Sequence, residues 1–376
     1  MKGFFLFFCG LLFAWQAQAA PITVTDITGR EVTLAQPATR IILTQARHMP
    51  VLALLHPDPV SLIAGWSDEF KTAFVNEYEQ YQKQFPAIRD IPTVGRHTAE
   101  SFSVEQSLAL RPDLVVLTAR FAGLLPNQDP NESALIRRFE AAGVPVLIVD
   151  FFMDPLQNTV PSLKALGAAI GATERTQAFI DFYQEQMQAV QHRLQDLDEQ
   201  ERPPVFIHAH AGSTDCCNSP GTGTFNDMVR YAGGHNIGVD VLKTPTGKLN
   251  YEFINARNPH VYVATGTGAK RREQAGGLLI GTAIEPEQAQ KSLQRVIQSN
   301  KLQHLRAVQQ HNAHGIWHAF NDSPLHMIFI QALASWIHPQ RMQGLSAQQT
   351  LDYVNQHFLT VPMQGTYIVD LPASGL

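Results

Sequence analysis

Two copies of one short pattern, placed on either side of a long helix, constrain this 376-residue chain more than any other feature. The first runs Ser103-Val-Glu-Gln-Ser-Leu-Ala-Leu-Arg-Pro-Asp113 and leads into Leu-Val-Val-Leu. The second runs Asn250-Tyr-Glu-Phe-Ile-Asn-Ala-Arg-Asn-Pro-His260 and leads into Val-Tyr-Val-Ala. In each, a capping residue opens a helix, a glutamate follows, and a proline ends the helix just before a strand. Ser103 with Gln106 spells a capping box. One such unit is routine; two imply two similar lobes.

Between the copies, Thr173 to Leu197 contains no Gly or Pro. Ala178, Phe179, Phe182, Met187, Val190 and Leu194 recur there at helical spacing, with Thr173 as the expected N-cap. A helix of about 25 residues is ~37 Å long, a length suited to a rigid connector. Elsewhere short β-branched runs alternate with helical patterns, which predicts an α/β chain with mainly parallel sheets. Strands are expected at Arg40–Leu43, Leu62–Ala64, Leu114–Leu117, Val146–Val149, Val205–His208, Val261–Ala264 and Gly315–Trp317. Helices are expected at Met49–Leu55, Val104–Leu110, Glu132–Ala142, Phe225–Ala232, Glu287–Gln298 and Leu325–Ile337. The organisation expected is a signal peptide over residues 1–19, an N-terminal lobe over 20–155, a connecting helical segment over 156–200 and a C-terminal lobe over 201–376.

The amino terminus bears on compartment. Met1-Lys2 precedes an uncharged apolar run from Phe4 to Trp15, and Ala17-Gln18-Ala19 supplies a small-x-small cleavage pattern. The run falls short of the ~20 residues a membrane span needs. Cleavage near Ala19 and a periplasmic destination are therefore expected, and Cys9, preceded by bulky Phe7-Phe8, makes a poor lipobox. The mature chain is long enough for two cores rather than one. A net charge of −5 without basic runs argues against nucleic acid. Only Cys216 and Cys217 survive maturation; being adjacent, they form either a vicinal disulfide or two thiols. No P-loop, no G-x-S-x-G elbow and no H-E-x-x-H motif is present.

The order of the motifs resembles the helical-backbone (class III) periplasmic solute-binding proteins of ABC importers for ferric siderophores, haem or vitamin B12. The pieces are Val24-Thr-Asp26-x-x-Gly29-Arg-x-Val32, Pro37, Arg40-Ile-Ile, Val94-Gly95 and Leu166-Gly-x-x-x-Gly171. In the second lobe Pro220-Gly-Thr-Gly-Thr-Phe225 is followed by Ala232-Gly-Gly-His-Asn-Ile237. The resemblance implies two Rossmann-like lobes joined by one long rigid α-helix, with a ligand held at strand carboxyl ends. It implies a non-enzymatic receptor, monomeric and without a covalent cofactor, that delivers its cargo to a permease dimer in the inner membrane. Glu105 and Glu252 match the positions that dock on permease arginines.

Such clefts tend to be basic and aromatic, because iron chelates are flat and often anionic. Arg47, His48, Trp66, Arg120, His210, Arg271 and Arg272 follow expected strands, Trp317 and His318 lie at the end of another, and Arg96 and His97 follow Val94-Gly95. The first expectation for the ligand is an Fe(III)-siderophore, with haem or cobalamin as alternatives. His208 and His210, two apart in a strand, face one side and make a metal pair. They lack the further ligands zinc needs, but they sustain a competing reading as a metal-dependent hydrolase.

Overall fold

The computed structural model describes residues 20–96, 98–124, 128–213, 216–268 and 276–372. After a β-hairpin, β1 (Ile22–Thr25) with β2 (Glu31–Leu34), come four parallel strands. These are β3 (Ile41–Leu43), β4 (Ile63–Trp66), β5 (Leu114–Thr118) and β6 (Val146–Val149), in the spatial order β4-β3-β5-β6. The second sheet holds β7 (Pro204–His208), β9 (His235–Asn236), β11 (Val261–Gly266), β13 (Ala313–Trp317) and β15 (Ile368–Asp370), in the order β15-β13-β11-β7-β9. All its pairs are parallel except β13 with β15. Small antiparallel pairs, β8 (Asn218–Pro220) with β10 (Thr246–Lys248) and β12 (Gly281–Thr282) with β14 (Gly365–Thr366), sit outside it.

Counted within each lobe, both sheets read 2-1-3-4, and the second adds an antiparallel edge strand. The duplication extends to backbone angles. Arg111, before Pro112, has φ 49°, and Asn258, before Pro259, has φ 42°. Each helix thus ends in a left-handed residue that turns the chain into the third strand. Ser103 Oγ accepts from Gln106 N–H at 3.2 Å and Asn250 Oδ1 from Phe253 N–H at 2.7 Å. The capping box expected at Ser103 is only half made, because Ser103 N–H donates to Val94 O instead; the complete box lies at Glu285 and Gln288.

The connecting helix spans Thr173–Leu194, with Ala172 rather than Thr173 at its cap. It packs on the helix Met49–Leu55 of the first lobe and on His326–Ile337 of the second. That double packing corrects the expectation of two separate cores. One apolar cluster runs from the first sheet through Phe179, Tyr183 and Val190 into the second, and a smaller cluster covers the outer face of the first sheet. At the centre of the connection Tyr183 donates to His326 Nε2 at 2.7 Å, while His326 Nδ1–H donates to Ser323 O at 2.9 Å. Burial holds the His326 pKa down at about 4, so the ring is neutral.

A polar seam joins the lobes elsewhere. On the helix Val75–Gln84, Asn76 donates to Thr282 O at 2.8 Å, Gln80 to Pro362 O and Gln84 to Thr360 O at 2.7 Å. Spaced four apart, the three amides form one face. No helix among the described residues is long and apolar enough to cross a membrane.

Candidate functional site

In sheets of this order, strands 1 and 3 carry their crossovers to opposite faces, and a crevice opens beyond their carboxyl ends. That places β3 and β5 of one lobe, and β7 and β11 of the other, as the ligand-facing tips. Beyond β3 the chain makes a short 3-10 turn, Ala46–His48, anchored by Ala46 N–H on Ser67 Oγ at 3.1 Å. The turn sends Arg47 and His48 toward the opposite lobe. Arg47 Nη1 donates to Asp322 Oδ2 at 2.9 Å, and its Nη2 pairs with Glu69 Oε1. His48 Nε2 lies 3.1 Å from the other Asp322 oxygen. Asp322 ends the turn His318–Asp322 that follows β13, so one carboxylate of the C-terminal lobe grips two basic residues of the N-terminal lobe.

Burial alone lowers the Arg47 pKa, but Asp322 and Glu69 outweigh it and raise the value above normal. Burial raises that of Asp322, yet His48 and Arg47 outweigh it and bring it below the ordinary aspartate range. The group is a charged lobe-to-lobe clasp. Arg47 Nε and Glu69 Oε2 are buried without a protein partner, leaving hydrogen-bonding capacity at the mouth beyond that used by the clasp.

On the C-terminal side, His210 and His318 stack with ring centroids 3.6 Å apart, and Phe225 lies against His318. Thr265 Oγ1 organises the pair: it accepts from His210 N–H at 3.0 Å and bonds His318 Nδ1 at 2.8 Å. His210 has φ 51°, and this left-handed turn breaks strand alternation just after β7. His208 and His210 therefore do not share a face, which removes the alternative of a two-histidine metal pair. His208 points into the core, 1% exposed, beside Tyr262, and burial holds its pKa down at about 3. Its ring nitrogen instead lies near Cys216 and Cys217, which are joined as a vicinal disulfide.

The remaining expected residues divide. Arg120 is exposed beyond β5, its guanidinium 5.1 Å from the Phe152 ring centroid, and Arg96 is exposed beyond Gly95. Gly95 has φ 146°, and a Cβ there would meet Ser101 O at 2.6 Å and the Phe102 Cα at 2.7 Å, so the turn requires glycine. Trp66 is a correction: it is 0% exposed, packed against Phe70 and Tyr78, and belongs to the core rather than the cleft. Trp317 is also buried, at 5%, edge-on to Phe320 and Tyr367. His97, Arg271 and Arg272 lie outside the described residues. Glu105 and Glu252 are exposed in the first turns of two equivalent helices, and Glu105 pairs with Arg138. Asp322 and Glu69 are acidic and so fall outside an expectation built on cations and rings; their places just beyond β13 and β4 are the signal that could have found them.

Residues 52–314 match the family described as periplasmic binding protein. The chain belongs to that family. Its members are periplasmic solute-binding proteins that bind small molecules and work with ABC permeases, in line with the two-lobed α/β fold. Among solved structures, a TroA-like periplasmic binding protein FepB from Veillonella parvula superimposes with TM-score 0.85 at 22% identity, over 94% of this chain and 100% of that one. A periplasmic heme binding protein from Pseudomonas aeruginosa gives 0.54 at 17%, over 90% and 99%. A cobalamin-binding protein of Halobacterium salinarum is 24% identical over 273 residues, 70% of this chain and 64% of the relative. The chain thus spans somewhat less than two thirds of that relative's length.

Proposed function

We propose that this protein is the substrate-binding component of an ABC importer and captures an anionic ferric siderophore between its lobes. The observation that carries the reading is the Arg47 guanidinium at the tip of β3, held by Glu69 on its own lobe and by Asp322 on the other. A guanidinium fork suits oxygen-rich chelates. An anionic ligand entering the mouth can take over the contacts Asp322 now makes and supply partners for Arg47 Nε. Arg96 and Arg120 add positive charge on the same lobe. Glu105 and Glu252 are the docking residues for permease arginines. A leader over residues 1–19 directs the chain to the periplasm.

Haem is the second reading, favoured by the stacked His210–His318 pair, since imidazole ligates haem iron. The names of the haem- and cobalamin-binding relatives keep tetrapyrroles in view. Calorimetric titration with ferric catecholate, hydroxamate and carboxylate complexes, hemin and cobalamin decides among them. Saturable binding of one ferric complex, weakened in Arg47→Ala, is the expected result. Binding of hemin or cobalamin alone, or of none of the panel, overturns the siderophore assignment. No ester turnover is expected.

A further inference from the structure

The loop between β7 and β8 carries side chains that chelate capture leaves unused. His208 closes β7 with its ring sandwiched in the core: the Phe206 ring is near-parallel at 5.7 Å, and the Tyr262 hydroxyl sits 3.0 Å from Nδ1. Further along, Cys216 is half-buried and Cys217 is fully buried. Two backbone bonds fold the loop's end back over the strand tip: Ala209 N–H donates to Asn218 O at 2.8 Å, and Leu249 N–H to Cys217 O at 3.0 Å. As a result one ring nitrogen of His208 and both sulfurs lie within 4.8 Å of one another. Donors bound to one zinc ion at ~2.0–2.3 Å are separated by up to about 4.6 Å. The bound exceeds that separation by about 0.2 Å, so a small shift of the His208 ring or of the loop brings all three donors onto one ion.

We propose that His208, Cys216 and Cys217 form a redox-gated site for a thiophilic d10 cation, Cu(I) or Zn(II), at the tip of the C-terminal sheet. Two thiolates and an imidazole are the donor set that soft and borderline ions prefer. The hydrogen bond between His208 Nδ1 and the Tyr262 hydroxyl, 3.0 Å long, holds the ring's orientation. The gate is the sulfur pair. While the two sulfurs are bonded to each other, neither is a thiolate and the donor set is incomplete. One thiolate of a dithiol reductant attacks Cys216, the less buried sulfur, which breaks the Cys216–Cys217 bond and releases Cys217; the reductant's second thiol then breaks the mixed disulfide, freeing Cys216 and closing the reductant's own disulfide. Two electrons and two protons pass to the protein as two thiols. The entering cation displaces those two protons and is held by two sulfurs and one nitrogen.

The test uses the mature full chain, prepared as the disulfide and, after anaerobic treatment with dithiothreitol and its removal, as the dithiol. Each is titrated with Zn(II) and with Cu(I) in competition with a chromophoric chelator. The expected result is one ion per reduced chain and none in the disulfide form. Cys216→Ser and Cys217→Ser should each weaken binding at least a hundredfold, and Tyr262→Phe about tenfold. The bound ion should also protect both cysteines from iodoacetamide. Equal uptake by both forms, no stoichiometric uptake by the reduced chain, or undiminished uptake by folded Cys216→Ser overturns the proposal. Circular dichroism establishes folding. Because Cys217 is buried, Cys216→Ser keeps the question answerable if the other variant unfolds. Chelate titrations run on the disulfide form, so failure here leaves the siderophore reading standing, and the reverse also holds.

Discussion

At the tips of β3 and β5 the N-terminal lobe presents guanidinium groups, Arg47 and Arg120. At the tips of β7 and β13 the C-terminal lobe presents imidazoles and a carboxylate, His210, His318 and Asp322. Both sheets have the same strand order, but in the second lobe the groups that follow the fourth strand, β13, reach the mouth beside the one that follows β7. The shared order fixes where side chains emerge, and the loops that follow decide their chemistry. Among the described residues the guanidinium groups stand on the first side, together with Glu69 and His48, while the second side supplies Asp322 and the stacked rings. The clasp of Arg47 and His48 on Asp322 is the two chemistries meeting in one contact.

The sharpest separation of core from mouth within the first lobe is Trp66→Ala. It should cost about 3–5 kcal/mol in urea unfolding, as for other buried Trp to Ala changes, while chelate affinity stays within about twofold of wild type. A large loss of affinity without a loss of stability would return Trp66 to the cleft. Asp322→Ala removes one partner from a buried charged group and should cost about 3 kcal/mol. A change below about 0.5 kcal/mol would mean that the clasp contributes nothing to joining the lobes.

Arg47→Ala should weaken ferric-chelate binding by about tenfold to a hundredfold, the range for a hydrogen bond to a charged group. His318→Ala should cost less. Equal losses in the two titrations would erase the contrast between the lobes. At the junction, the His326 pKa is about 4 in the fold against 6.5 for an ordinary histidine. Between those values the unfolded chain takes up a proton that the folded chain refuses. This contribution to stability is therefore complete above pH 6.5 and declines as pH falls toward 4, at up to ~1.4 kcal/mol per pH unit. His326→Gln should flatten that slope in unfolding curves measured across the window; an unchanged slope would place the acid sensitivity elsewhere. The smallest effect on the protein itself is expected from the double change Glu105→Gln and Glu252→Gln. Stability should shift by no more than about 1 kcal/mol and chelate affinity should not move, while transport in reconstituted vesicles falls. Full transport by the double variant would remove the docking role.

Much of this fold could be read from residue patterns. The helix Met49–Leu55 was placed to the residue, and the seven expected strands all occur, because hydrophobic periodicity and proline stops are local signals. Trp66 was misplaced for a physical reason: a parallel strand buried on both faces gives no alternation, so its last residue cannot be assigned to core or mouth. Asp322 was passed over because its partners, Arg47 and His48, lie far away in sequence, and only folding brings them together. The strand Ile368–Asp370 escaped notice for a similar reason: it is a short edge strand whose antiparallel pairing with β13 is made at long range. The helix Val75–Gln84 is absent from the expected elements, although its amides at 76, 80 and 84 share a readable period.

That row of amides has a consequence for how the molecule answers its surroundings. Asn76, Gln80 and Gln84 hold backbone carbonyls through uncharged bonds, which neither ionic strength nor ordinary acidity disturbs. Arg47 and Asp322 meet through opposite charges, and the exposed part of that attraction fades as salt rises. The protein thus has one edge riveted against changes in the medium and another held partly by charge, so a salty medium should loosen the jaw without slackening the rivets.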